Sequence, residues 1–116
     1  MGGTELKSER LSLTLTGHLT RSALDNQLAS VTERFVDTQG RLPLLVDCLT
    51  MRGYDKDARE RFISWNREHS QKLSRVAVVT EKQMWHLVVS VMALVSEQQI
   101  KAFNDRVAAE RWLAES

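Results

Sequence analysis

The chain has 116 residues, 42% of them apolar and 27% charged, with 16 basic side chains against 15 acidic ones. That length suits one domain with a core of its own, and the composition is that of a globular chain and not a disordered one. The charge balance gives no reason to expect nucleic acid or an anionic membrane as partner, since both call for a clustered basic excess.

Residues 1–10, MGGTELKSER, lack the apolar centre of a signal peptide and are expected to form a flexible N-terminus ahead of one domain over 11–116. Gly2 stands as in a myristoylation site, but Leu6 occupies the place where Ser or Thr is preferred. LSLTLTG, from Leu11 to Gly17, alternates strictly, with Leu11, Leu13 and Leu15 on one face and Ser12, Thr14 and Thr16 on the other. This is the pattern of a half-buried strand. Ser22 with Asp25 resembles a capping box, after which Leu24, Leu28, Val31 and Phe35 fall along one helix face until Gly40.

LPLLVDC is a continuous apolar run, as expected of a strand covered on both faces. Asp55 is placed to cap a second helix with the stripe Ala58, Phe62, Trp65 and Leu73. RVAVVT is another doubly covered strand, and Thr80 with Gln83 suggests the cap of a third helix. That helix, EKQMWHLVVSVMALVSE over 81–97, is apolar on nearly every side. It is too short to span a bilayer, and a helix on one sheet should keep a polar face. A second partner surface is therefore implied, with homodimerisation preferred. QIKAF is a weaker fourth strand, and Asn104 or Asp105 caps a last helix carrying Ala108, Trp112 and Leu113.

The fourfold alternation predicts an α/β fold, a four-stranded, mostly parallel sheet with a helix after each strand. Functional loops of such sheets gather beyond the strands' carboxyl ends, here Gly17 to Thr20, Cys48 to Tyr54, Thr80 to Trp85, and Asn104 with Asp105. No glycine-rich phosphate cradle follows any strand, and no cofactor is expected. Cys48, the single cysteine, allows no internal disulfide and reads as a small buried hydrophobe, which leaves the cytoplasm as the expected compartment. Asp55 and Asp57 suit the start of a helix, each four residues ahead of an arginine, Arg59 and Arg61. His18, His69 and His86 lack metal-ligand spacing, so no metal is expected. His18, Tyr54 and Trp85 belong to three of the four loops at one edge and are candidates to line a small pocket.

Several phrases in order carry a resemblance: GHLT at 17–20, LLVDCLTMRGYDKDA at 44–58, RVAVVT at 75–80, the Trp85 segment, IKAF, and WL at 112–113. Together, from about Leu11 to Leu113, they resemble the STAS-like proteins grouped with anti-sigma-factor antagonists and, more distantly, the CRAL-TRIO lipid carriers. The resemblance implies a STAS-like βα superhelix, no catalysis, and docking onto another protein through the loop and helix after the central strand. On this sequence those positions are Met51, Arg52, Tyr54, Asp55, Lys56 and Arg59. Antagonists carry a phosphorylated Ser or Thr there, in Asp-Ser-Ser-Gly or similar. Here Asp55-Lys56-Asp57-Ala58 stands in its place, without the hydroxyl, and Thr50 lies on the wrong side of the loop. The alternative implied by the lipid-carrier kinship is a carrier or sensor of a small apolar or lipid-like ligand. An enzyme built on Cys48, His18 and the aspartates ranks third.

Overall fold

The computed structural model describes residues 10–115, so all but Arg10 of the expected flexible N-terminus lies outside the described residues. Strands and helices alternate as β1 (Leu11–Leu19), α1 (Arg21–Phe35), β2 (Leu42–Tyr54), α2 (Lys56–Glu68), β3 (Leu73–Val79), α3 (Gln83–Ser96), β4 (Ile100–Phe103) and α4 (Arg106–Ala114). Each strand pairs in parallel with the next, giving the sheet order β1-β2-β3-β4.

The two kinds of strand pattern follow from what covers each face. Leu44, Val46, Val76 and Val78 point to one side of the sheet, where Leu24 and Leu28 of α1, Phe62 and Trp65 of α2, and Val89 and Met92 of α3 complete the main core. Leu45, Ala77 and Val79 point to the other side and meet Ala109 and Leu113 of α4, with Phe103 and Trp112 packed at the margin. β2 and β3 are thus roofed twice and need continuous apolar runs. The outer face of β1 has no helix over it, so Ser12, Thr14 and Thr16 are exposed while Leu11, Leu13 and Leu15 are buried.

Several local expectations are corrected. The cap of α1 is Thr20, whose Oγ1 accepts from the Ala23 amide at 3.1 Å, and Ser22 lies inside the helix. Asp25 is drawn instead to Arg61, whose Nε donates to it at 2.7 Å, so Arg61 does not pair with Asp57. α2 ends at Glu68, and Leu73 opens β3. α3 begins after Lys82, with Thr80 Oγ1 accepting from the Lys82 amide at 3.2 Å and Gln83 donating to Asn104 at 3.2 Å, so the predicted capping box does not form. Of the two candidates for α4, Asp105 is the cap, accepting from the Ala108 amide at 2.9 Å.

Candidate functional site

The strand β2 runs on past Cys48 to Tyr54, and β1 past Gly17 to Leu19, so two of the four predicted loops are strand. β3 accompanies β2 only to the pair Asp47–Val79. Beyond it, β1 and β2 continue alone as a two-stranded ribbon, Thr16 to Leu19 against Thr50 to Tyr54. From the entry of the ribbon, Thr14 to His18 faces Asp47 to Gly53, so β2 holds two extra residues, taken up by two register shifts. Extra residues bend and twist a strand. They also break the period of two: Cys48 and Met51 are both buried, with Leu49 and Thr50 exposed between them. That broken period is why the segment reads as a loop in sequence. Gly17 meets the second shift at φ +62°, a left-handed conformation costly to other residues.

The ribbon, α2 and α3 line a half-open apolar cavity of about 70 Å³. Leu15, Met51 and Tyr54 line it from the ribbon side, Ala58, Arg59 and Phe62 from α2, and Trp85, Val89 and Met92 from α3. Tyr54 and Trp85 meet edge to face, their ring centroids 5.4 Å apart. The wall carries no polar surface, so Arg59 faces it with its aliphatic stem and not with its guanidinium.

Of the three residues expected to line a pocket, Tyr54 and Trp85 do so, whereas His18 lies outside it. The His18 ring nitrogen Nε2 is 2.7 Å from Asp55 Oδ1 at the half-exposed end of the ribbon. This pair explains why Asp55, although at the cap position of α2, makes no side-chain cap bond. The Asp55 amide donates to the Leu19 carbonyl at 2.9 Å, which fastens the start of α2 to the end of β1. A Cβ on Gly53 would stand 3.2 Å from His18 Nδ1, so the ring's position depends on the bare backbone there.

Among the expected docking residues, Met51 is corrected: it is buried in the main core, because the first register shift turns its side chain inward. Tyr54 and Arg59 belong to the cavity, while Arg52, Asp55 and Lys56 are exposed. The Asp55 carboxylate is engaged by His18, and Lys56 reaches Glu60 at 4.0 Å.

Burial and then the charge of Asp47 push the Cys48 thiol up to about 12, so it stays protonated at neutral pH and packs as a small apolar group. Asp47 itself is tied to Arg106 at 3.3 Å and accepts from the Leu49 amide at 3.0 Å. His86 is bonded to the Thr80 carbonyl at 2.9 Å, and His69 lies against Phe35 and Trp65. Among the described residues no group of three His, Cys, Asp or Glu side chains is gathered as a metal would need, and no helix is long and apolar enough to cross a membrane.

Beside the cavity, α3 turns Val89 and Met92 inward and leaves Met84, Leu87, Val91, Leu94 and Val95 between 49% and 79% exposed. These positions form one stripe along the outward face. Such a stripe on a small domain is larger than scattered surface apolar residues explain.

A four-stranded parallel sheet with a helix after each strand, three helices on one face and one on the other, defines a small α/β domain of the STAS-like class. The family model described as SpoIIAA-like matches residues 10–114, and the chain belongs to that family. Among solved structures it is similar to an uncharacterised protein of the DUF3478 family with a SpoIIAA-like fold from Shewanella loihica PV-4. The two share 18% identity and a TM-score of 0.71, over 86% of this chain and 80% of that one. No curated protein matches the chain.

Proposed function

We propose that the protein is a non-catalytic, cytoplasmic interaction module that pairs with a second copy of itself and docks another protein. The observation that carries this reading is the exposed stripe of α3. Its five apolar residues lie on a helix without a single charged side chain from Gln83 to Ser96. A helix of that length presents roughly 21 Å of apolar edge. Two copies can therefore meet along it without bringing like charges together, and the gain is the burial of that surface. Arg52, Lys56 and Arg59 supply exposed or half-exposed cations near the cavity, where a further protein could add its own contacts. Asp55-Lys56-Asp57-Ala58 offers no hydroxyl, which argues for constitutive docking and against a phosphate switch at this point.

Sedimentation of the wild type and of Val91→Glu tests the pairing. The wild type is expected to sediment as a dimer and the variant as a monomer with an unchanged circular-dichroism spectrum. A wild type that stays monomeric up to its solubility limit would refute it.

A second reading, a carrier or sensor of a small apolar ligand, is favoured by the cavity. Its 70 Å³ holds only two or three heavy atoms at roughly 30 Å³ each. A long lipid chain would have to displace the walls, of which Met51 and Met92 are the compliant ones. Native mass spectrometry of protein purified from its source separates the two readings: a retained small-molecule adduct supports the carrier, a bare dimer the module.

A further inference from the structure

We infer that the cavity takes a ligand joining a short apolar tail to an anionic head, with Arg59 and Lys82 as counter-charges at its mouth. The inference rests on the carrier reading and adds the chemistry of the head group.

Arg59 is a cation left over from the local charge pairing. Four residues before it, Asp55 is turned to His18, and the neighbouring Glu60 lies 4.0 Å from Lys56. Arg61 on the same helix shows the contrast, holding Asp25 at 2.7 Å and Glu68 at 3.4 Å. Among the described residues the Arg59 side chain has no hydrogen bond and no ion pair, although its stem forms part of the cavity wall. A guanidinium at the edge of an apolar wall is matched by a carboxylate or phosphate, which it can grip with two parallel bonds.

Lys82 supplies the second cation. Its Nζ lies 5.2 Å from the centre of the Trp85 ring, and Trp85 is itself part of the wall. Like Arg59, it has no carboxylate partner among the described residues. A tail entering beside the Tyr54–Trp85 contact would bury its carbons against Met51, Val89 and Met92. Its head would then remain at the rim, where the cations are. The small volume sets the tail length: a few carbons fit, with more only as the methionine side chains rearrange.

The test is an NMR titration of the full chain, reading the three indole N–H signals. Trp85 lines the cavity, Trp65 donates to Thr32 at 3.1 Å, and Trp112 packs on Phe103 on the opposite side of the sheet. The probes are butanoate and hexanoate, the alkan-1-ols of the same length, and the matching alkylammonium ions. Carboxylates are expected to move the Trp85 signal alone, with the alcohols bound about tenfold more weakly and the ammonium ions more weakly still. Arg59→Gln is expected to weaken carboxylate binding more than alcohol binding, closing the tenfold gap between them, and Lys82→Gln to do so in part. Unmoved Trp65 and Trp112 signals will show that both variants are folded. Alcohols binding as tightly as carboxylates to the wild type would overturn the head-group assignment and leave the carrier reading standing. No response of Trp85 to any probe would overturn the carrier reading itself.

Discussion

His69 sits with its ring centroid 5.3 Å from that of Phe35 and 5.2 Å from that of Trp65. Burial lowers its pKa, Glu68 opposes the shift and Arg61 adds to it. The folded state therefore prefers the neutral ring, whereas the unfolded chain takes a proton near pH 6.5. The stabilisation is complete above that pH and is lost as pH falls through it toward the lower folded value. Urea unfolding at pH 7.5 and 5.5 should show the wild type losing stability and His69→Gln losing less. An equal loss in both would remove His69 from the account. Asn66 makes a second prediction at this scale. It is fully buried, its Nδ2 donates to the Phe62 carbonyl at 2.8 Å, and its Oδ1 has no partner among the described residues. Asn66→Leu keeps the branched outline, adds methyl bulk and removes an unsatisfied acceptor, so the opposing effects should leave its stability within about 1 kcal/mol of the wild type in urea unfolding. Cys48 should resist alkylation in the folded protein at pH 8 and react readily in urea, since only unfolding restores an ordinary thiol.

The ribbon and its fastening to α2 act as one element. His18 lies over Gly53 and reaches Asp55, so two ways of disturbing the corner should differ in cost. His18→Ala removes an exposed pair of small worth, whereas Gly53→Val drives branched carbons into the space the ring occupies. The valine variant should therefore unfold at lower urea than the alanine variant, and the reverse order would deny the ring its place. Between α1 and α2 the joint is Trp65, whose Nε1 donates to Thr32 while its rings stack with Phe35 and Phe62. Trp65→Ala should cost about 3–5 kcal/mol. The helices were legible in sequence from their spacing. Their ends were less so, because Thr20, Ser22 and Asp25 are all plausible caps and only the end of β1 selects Thr20. The extension of β2 was hidden for a different reason, since its extra residues erase the alternation by which a strand is recognised.

At the scale of the whole molecule, the fold was the most legible property. One-faced LSLTLTG and two-faced LPLLV and VAVV already distinguish an edge strand from interior ones, and the sheet places them so. That α4 crosses to the opposite face, with Arg75 stacked 4.8 Å from the Trp112 ring, has no sign in the order of elements. The cavity was half legible. Tyr54 and Trp85 are legible as pocket residues, whereas His18 lies outside and Arg59, read as a docking residue, lines the wall; Leu15, Phe62, Val89 and Met92 look like any other core residues, and only packing shows that they leave space. The exposed stripe of α3 was the clearest functional signal in the chain, because a helix apolar on all sides cannot be satisfied by one sheet.

The sheet order also governs how the chain can be assembled. No strand is inserted between two earlier ones, so each newly synthesised βα unit can dock beside its predecessor without displacing anything. The second face behaves differently: Leu45, Ala77 and Val79 are laid down with β2 and β3 but stay wet until α4 follows the fourth strand. During synthesis the domain thus passes through a stage with one face sealed and the other sticky. A chaperone that captures nascent apolar surface should bind chains that stop at Phe103 and release those that reach Ala114.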